Sequence, residues 1–238
     1  MNSKRNEKIE LKTVVRQPKE VSEFYESVIR LKKNNQENLF GELSDDFSQL
    51  VKDLSRESKM DPKALDLGYG YGNYSIKLAE MNYYVTAIDC ISPDIFTRRI
   101  EKSPISDNIT ILEEKIETYN FNNRFDFIIS KDVLHFLSKE NVKRTVINCE
   151  KHTNTYGMNY FVIFTDIKRI TDDNIPIVIE NEANFLDGEL IRLFKKVYSE
   201  WELKFIKEKY QEKNNKTGKV FFEANKITII AKKRREKK

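Results

Sequence analysis

The chain has 238 residues, of which 39% are hydrophobic and 34% are charged, so it is long enough to bury the core of one domain. It contains no run of about 18 apolar residues, which argues against a membrane-spanning helix. The formal net charge of +4 comes from the C-terminus, because the last seven residues hold six basic side chains and one acidic side chain. The remaining 36 basic and 37 acidic residues argue against a basic face that binds nucleic acid.

The cysteines, the N-terminus and the histidines bear on compartment and metal chemistry. Cys90 and Cys149 lie far apart in the sequence, a pattern typical of free thiols in a reducing compartment. The first residues lack the apolar stretch of a signal peptide, so we expect a cytoplasmic protein. Neither His135 nor His152 stands at ligand spacing from another histidine or a cysteine, so we expect no metal site.

Residues 1–60 predict an N-terminal arm followed by a helical cap. Residues 1–17 are polar and show no period, which predicts an arm that is frayed or ordered by a partner. Two apolar faces with helical spacing follow, at Val21–Val28 and at Phe47–Leu54, and Ser44 is the expected N-cap of the second helix. We expect these two helices to be an appendage to the main domain.

Residues 61–232 predict one domain in which strands and helices alternate. Apolar strands separated by helices are typical of a parallel sheet with helices on both faces. The expected architecture is an α/β, Rossmann-like, mostly parallel seven-stranded sheet with a C-terminal antiparallel hairpin, the N-terminal helical cap and a basic tail at residues 233–238. The predicted strands are Ala64–Leu67, Tyr84–Asp89, Ile109–Leu112, Arg124–Ser130, Met158–Asp166, Glu200–Tyr210 and Lys219–Ala231. The predicted helices are Asn73–Asn82, one beginning at Pro93, one beginning at Ser138, and Asp187–Lys196.

A glycine cluster between the first predicted strand and the next helix points to a ligand. Gly68, Gly70 and Gly72 are three of only seven glycines in the chain, and such a turn lets a ligand approach the backbone at a helix N-terminus. Asp89 closes the second predicted strand, 21 residues after Gly68, where a carboxylate accepts hydrogen bonds from ribose hydroxyls. Asp66 precedes the glycines, and a carboxylate there repels a pyrophosphate but attracts a cationic ligand. The glycine spacing also differs from the Gly-x-Gly-x-x-Gly of dinucleotide enzymes, which argues against an NAD-dependent dehydrogenase.

With its leading acid, this turn resembles the cofactor loop of class I S-adenosylmethionine-dependent methyltransferases. A narrower similarity to the tellurite-resistance-type branch lies in Phe125–Ser130, Val133–Leu137 and Asp187–Leu190, and the resemblance spans roughly residues 64–232. It implies a methyltransferase whose cofactor is S-adenosyl-L-methionine. The implied cofactor-binding residues are Asp66, Gly68, Gly70, Gly72, Asp89, Cys90, Ile116 and Ser130.

Besides the Asn-Thr-Tyr-Gly at residues 154–157, which replaces the usual Lys-Pro-Gly-Gly turn before the fifth strand, the chain departs from this branch in two places. Lys115 stands where the family commonly has an Asp near the adenine, so Glu114 or the backbone of Ile116 is expected to take that role. The His-Arg pair that tellurite-type members carry in the last hairpin has no clear match near Tyr210. The second departure weighs against tellurite or selenite as the methyl acceptor.

Two residues are candidates for a catalytic role. Methyl transfer from a sulfonium depends mainly on alignment and exclusion of water, and a base is needed only when the acceptor must lose a proton. His135 follows the fourth predicted strand on the ligand-binding side of the sheet, so it is a candidate general base that titrates near neutral pH; the alternative is a partly exposed residue on a turn. Tyr25 either contacts the acceptor as part of a lid or packs within the cap.

We predict in-line SN2 methyl transfer to a small-molecule acceptor, an O-, N- or S-methylation of natural-product or detoxification type. The Asn/Asp-Pro-Pro-aromatic motif of enzymes that methylate bases or protein amides is replaced by Ser-Lys-Asp-Val at residues 130–133. One alternative is an RNA methyltransferase that uses the basic arm and tail. The other is a non-catalytic regulatory partner that binds S-adenosylmethionine. We expect no nucleic-acid or membrane partner, and a monomer or homodimer.

Overall fold

The structure, a computed structural model, describes residues 13–32, 43, 47–51, 60–214 and 216–234. The helices with described bounds are α1 (Pro18–Lys32), α2 (Asn73–Glu80), α3 (Asp94–Ile100), α4 (Lys139–Lys151) and α5 (Asp187–Val197). The strands are β1 (Val14–Arg16), β2 (Lys63–Leu67), β3 (Tyr84–Asp89), β4 (Ile109–Glu113), β5 (Phe125–Lys131), β6 (Thr153–Arg169), β7 (Ile177–Ile179), β8 (Glu202–Lys213) and β9 (Val220–Lys232). In this part of the chain, no helix is long and apolar enough to cross a membrane.

Seven strands form one sheet in the order β4-β3-β2-β5-β6-β9-β8. Strands β2 to β6 pair in parallel, whereas β9 pairs antiparallel with both β6 and β8. The predicted mostly parallel sheet with a C-terminal antiparallel hairpin is therefore confirmed. The chain reverses its direction of winding between β2 and β5, and ligands bind in open α/β sheets at the carboxyl ends of strands at such a point.

Both faces of the central strands are buried, which explains their continuous apolar sequence. Successive side chains of a strand point to opposite faces. In β5, Ile128 belongs to one core cluster, while Phe127 and Ile129 belong to the cluster on the other face. Helices cover both clusters, so no polar alternation is required in these strands.

The second N-terminal helical segment packs into the core, which differs from the expected appendage. Residues 47–51 are helical, and Phe47 and Val51 are almost fully buried. The ring of Phe47 lies 4.6 Å from that of Tyr74 and 5.7 Å from that of Tyr160, measured between centroids. Part of the predicted cap therefore completes one face of the sheet. The predicted N-cap Ser44 and the apolar residue Leu54 lie outside the described residues.

We expect Phe47→Ala to lower the free energy of unfolding by about 3 kcal/mol, because it removes a fully buried ring and leaves a cavity. Chemical denaturation followed by circular dichroism measures this change. Phe24→Ala is the matched control, since the Phe24 side chain is 54% exposed and its loss should cost about 0.5 kcal/mol. Equal effects of the two substitutions would show that residues 47–51 do not pack on the sheet.

A short strand occupies part of the region predicted as a frayed arm. Strand β1 pairs in parallel with β7, with Val15 opposite Val178, so the expectation was wrong for residues 14–16. Glu180 N–H donates to the carbonyl of Arg16 at 2.9 Å and continues the pairing. The strand has only three residues, all exposed, so no hydrophobic alternation marks it in the sequence. This pairing attaches the start of α1 to the segment that links β6 to α5.

Candidate functional site

The turn between β2 and α2 requires glycine for two different reasons. The φ angles of Gly68, Gly70 and Gly72 are +86°, +52° and +82°, in the left-handed region that favours glycine. A Cβ on Gly68 would lie 2.7 Å from Cγ1 of Val133, and one on Gly72 would lie 2.3 Å from Cε2 of Phe96. A Cβ on Gly70 would meet no heavy atom within 4 Å. Packing therefore requires the outer two glycines, whereas the middle one marks the open side of the turn.

The carboxylate of Asp89, at the end of β3, is held against this turn. Its Oδ2 accepts a hydrogen bond from Gly70 N–H at 2.9 Å, and the backbone N–H groups of Cys90 and Ile91 also donate to the carboxylate. Burial raises the pKa of Asp89, and these three donors oppose the increase. Glu114 N–H donates to the carbonyl of Asp89 at 2.8 Å. The loop after β4 is thus fixed beside the same carboxylate.

Asp66, immediately before the glycines, faces inward. Its side chain is 3% exposed, and its Oδ2 accepts a hydrogen bond from Ser75 Oγ at 2.6 Å. Burial raises the pKa of this carboxyl to about 7; the Ser75 hydrogen bond opposes the increase, and the charge of Asp89 adds to it. This hydrogen bond therefore connects β2 to α2, and the pKa of the carboxyl depends on the charge at the end of β3.

The other residues predicted for the cofactor lie at the same edge of the sheet. Cys90 is exposed, and partial desolvation of its thiol, together with the charge of Asp89, raises its pKa to about 11. Ile116 buries its side chain in the core, so any ligand contact there would use its backbone. Ser130 is fully buried, and its hydroxyl donates to the carbonyl of Leu67 at 3.0 Å.

His135 differs from both sequence-based expectations. It lies in a short 3-10 helix after β5 and is only 2% exposed, with ring centroids of Phe136 and Phe164 at 4.1 and 5.1 Å. Burial, with a smaller contribution from the charge of Arg169, lowers the pKa of His135 to about 3. The expectation that it titrates near neutral pH was wrong, as was the alternative of a partly exposed residue. The imidazole is neutral at pH 7, and its buried Nδ1 has no hydrogen-bond partner among the described residues.

Rings from α1, β6 and the C-terminal hairpin meet around His135. The ring of Tyr25 lies 5.4 Å from that of Phe136, and the ring of Phe164 lies 4.9 Å from that of Tyr210. Tyr25 lies on α1, the predicted first helix, and contacts the segment that follows β5 through Phe136. We refer to the whole group as the aromatic cluster, which consists of Tyr25, His135, Phe136, Phe164, Tyr210 and Phe222.

Charged groups border the aromatic cluster, and Asp132 connects it to the glycine turn. Arg169 binds both carboxylate oxygens of Glu182, at 2.5 and 2.7 Å. Oδ2 of Asp132 is paired with Lys131, but its buried Oδ1 has no hydrogen-bond partner within the described part of the chain. The next residue, Val133, packs against Gly68. One carboxylate therefore lies next to both the turn and the cluster.

Sequence reasoning missed Asp132 and the cluster members on β6, β8 and β9. An acidic residue after the fourth predicted strand was visible in the sequence, but its positive φ of 57° and its unpaired oxygen were not. Phe164, Tyr210 and Phe222 come together only through the pairing of β6 and β8 with β9. No local pattern marks that juxtaposition.

The fold is that of a class I S-adenosylmethionine-dependent methyltransferase. It combines a parallel sheet of this order, an antiparallel hairpin, a glycine turn after the first sheet strand and an acid after the second. The family described as tellurite resistance protein TehB matches residues 32–230. The chain therefore belongs to the TehB family, which confirms the resemblance predicted from the sequence. The match also includes part of the N-terminal region that lies before the predicted resemblance.

Known relatives agree with this assignment. The chain is 30% identical over 177 residues to the probable S-adenosyl-L-methionine-dependent methyltransferase TehB of Haemophilus influenzae (strain 10810), covering 72% of this chain and 57% of that protein. The crystal structure of TehB from Haemophilus influenzae superposes with a TM-score of 0.59 at 28% identity and covers 78% of this chain and 62% of that chain. The chain thus spans less than two thirds of the length of these relatives.

A more distant structure shows how widely the fold is shared. The Burkholderia thailandensis 1,6-didemethyltoxoflavin-N1-methyltransferase superposes with a TM-score of 0.56 at 14% identity. The superposition covers 92% of this chain and 91% of that chain. At this level of identity the similarity supports the fold alone.

Proposed function

We propose that this chain binds S-adenosyl-L-methionine at the turn between β2 and α2 and transfers the methyl group to a small molecule bound beside the aromatic cluster. The arrangement of Gly70 and Asp89 carries the proposal. The open side of Gly70 lets a ligand approach the backbone. The Asp89 carboxylate accepts one hydrogen bond from that turn at 2.9 Å and, beside its three backbone donors, keeps acceptor capacity for a ribose hydroxyl.

The remaining cofactor contacts in this proposal follow from their positions around the turn. Gly68 and Gly72 keep the turn in its shape, and the ionised form of Asp66 supplies negative charge near the amino group and the sulfonium. The adenosine is bordered by Cys90, by Ser130 and by the backbone at Ile116, which lie at the same edge of the sheet. When bound, the cofactor supplies a methyl group already activated by its positive sulfur. The protein then has to orient the acceptor and exclude water.

His135 and Tyr25 have positioning roles in this proposal. A histidine with a pKa of about 3 is too weak a base to take up a proton at neutral pH. Its neutral ring can still form one hydrogen bond to the acceptor through the buried Nδ1. Burial raises the pKa of Tyr25 to about 12, so its hydroxyl stays protonated and can donate.

The raised pKa of Asp66 predicts a specific pH dependence of stability. The folded-state pKa of about 7 lies above the ordinary value of 3.8, so the folded state holds this proton more tightly and the free energy of unfolding falls as the pH rises through that window. Asp66→Asn lacks this contribution. Between pH 5 and pH 8 we expect the variant to lose about 2 kcal/mol less stability than the unmodified chain.

Urea denaturation at the two pH values measures this difference. Asp107→Asn is the control, since Asp107 is exposed and lies before the far edge strand β4. It should show the pH dependence of the unmodified chain. Identical pH dependence of all three proteins would contradict the raised pKa of Asp66.

The proposed function is tested by measuring S-adenosylhomocysteine formation from S-adenosylmethionine. The purified chain is assayed alone, with a pool of small metabolites, and with RNA. We expect the metabolite pool to stimulate product formation and RNA not to. Stimulation by RNA alone would favour an RNA methyltransferase, and cofactor binding with no product in any assay would favour a non-catalytic regulatory partner.

A further inference from the structure

We propose that the acceptor site beside the aromatic cluster takes an amine, held as its ammonium form or through its N–H groups, and discriminates against oxyanions, including tellurite. The inference rests on the proposed function, because it assumes that the acceptor binds next to the glycine turn. The side chains at this position define the chemical class of that acceptor.

The unpaired polar atoms of the site call for a hydrogen-bond donor. Oδ1 of Asp132 and Nδ1 of His135 are buried and have no hydrogen-bond partner among the described residues. A carboxylate oxygen only accepts hydrogen bonds, so Asp132 needs an N–H or O–H group from the ligand. A deprotonated oxyanion offers only acceptor atoms and cannot satisfy this oxygen.

The cationic side chains described at this site already form ion pairs. The side chains of Arg169 and Glu182 are 14% and 5% exposed and form a bidentate ion pair. Lys131 is paired with Asp132. An anion would have to separate one of these partly buried pairs, which leaves a carboxylate without its partner and is unfavourable.

Further negative charge faces the tyrosine hydroxyls of the cluster. The hydroxyl of Tyr210 donates to Oε1 of Glu212 at 3.0 Å. Besides burial, which is the main cause, the charges of Glu212 and Asp132 raise the pKa values of both Tyr25 and Tyr210, while the charge of Arg169 opposes the increase at Tyr25. The two hydroxyls therefore lie in the field of two carboxylates, one on β8 and one just after the end of β5.

The aromatic rings favour the same ligand. Phe136, Phe164 and the two tyrosines lie close together at this site, and the faces of aromatic rings attract an ammonium group by cation–π interaction. Rings also bury the apolar part of an organic amine. Carboxylates and ring faces together match an organic cation or N–H compound, whereas neither matches a small inorganic anion.

Methyl transfer to such an acceptor balances without any further reactant. An acceptor bound in its ammonium form first loses a proton to water, which leaves a lone pair on nitrogen; a neutral amine already carries that lone pair. That lone pair forms the N–C bond to the methyl carbon while the C–S bond breaks, and the bonding electron pair remains on sulfur. The methylated nitrogen carries the positive charge and can then release another proton to water.

The test compares amines with carboxylates of similar shape. Benzylamine, tryptamine, benzoate, indole-3-acetate and tellurite are titrated by calorimetry into the full chain saturated with S-adenosylhomocysteine. We expect at least one of the amines to bind, and each amine that binds to do so at least about tenfold more tightly than its carboxylate counterpart, because a hydrogen bond to a charged group contributes about this much. Tellurite should show no binding at the same concentrations.

Asp132→Asn tests the carboxylate itself. Asparagine tolerates the positive φ at this position as well as aspartate does, so the fold should be retained. We expect amine affinity to fall about tenfold, while the affinity for S-adenosylhomocysteine stays within about twofold. Asp107→Asn, which changes the net charge equally at a distant exposed site, should leave both affinities unchanged.

The failures of the two proposals are distinguishable. If S-adenosylhomocysteine does not bind, the proposed function fails. If it binds but neither amine does, or if benzoate, indole-3-acetate or tellurite binds as tightly as the amines, the amine site is refuted. Amine binding that is unaffected by Asp132→Asn would refute the role of Asp132.

Discussion

Asp89→Ala is expected to lower the affinity of the chain for S-adenosylhomocysteine at least about 100-fold. A hydrogen bond from a ribose hydroxyl to a carboxylate contributes up to about 3 kcal/mol, which corresponds to that factor. The substitution also frees the N–H of Gly70, which donates to Asp89 at 2.9 Å, so the turn loses the group that holds it. Isothermal titration calorimetry of the two proteins measures the change.

The control for this experiment is Asp107→Ala, which removes an exposed carboxylate far from the turn. It should bind S-adenosylhomocysteine like the unmodified chain. Circular dichroism establishes whether Asp89→Ala is folded at the temperature of the titration. A folded Asp89→Ala protein with unchanged affinity would show that the end of β3 does not contact the cofactor.

Alanine substitutions at Gly72 and Gly70 should have opposite consequences for folding and binding. At Gly72, a Cβ would lie 2.3 Å from Cε2 of Phe96, and that ring is itself buried. Left-handed backbone strain and overpacking together should lower the free energy of unfolding by about 4 kcal/mol. At Gly70, where the added Cβ has open space, only the backbone strain of about 1 kcal/mol remains.

For ligand binding, the substitution at Gly70 should have the larger effect. Gly70→Ala places a methyl group on the open side of the turn, so we expect S-adenosylhomocysteine affinity to fall about tenfold or more in a protein that remains folded. Denaturation curves and calorimetry of both variants measure the two effects. Equal stability of the two variants would contradict the packing of Gly72 on Phe96, and normal binding by Gly70→Ala would contradict its place in the ligand site.

The sheet was predictable where local sequence defines each strand. Strand β3 has the predicted bounds, Tyr84–Asp89, because an apolar run there is limited by turns on both sides. Strand β6 extends beyond the predicted Met158–Asp166 to Thr153–Arg169. Most of its added residues are polar, and some of them pair with neighbouring strands, such as Lys168 with Glu223. Composition alone does not mark such ends.

The candidate site was likewise predictable only where neighbouring residues in the sequence define it. The glycine turn and Asp89 belong to one local unit, and their spacing alone indicated that they meet. The state of His135 depends on rings from distant strands, so the sequence suggested a titrating group where burial keeps the imidazole neutral. The unpaired oxygen of Asp132 likewise results from a left-handed backbone conformation and long-range packing.

The central claim is that the turn at Gly70 and Asp89 binds S-adenosylmethionine. Calorimetric titration of the unmodified chain with S-adenosylmethionine, S-adenosylhomocysteine and NAD tests it most directly. We predict dissociation constants of about micromolar for the first two ligands and no detectable binding of NAD. Binding of NAD without binding of the other two would contradict the account.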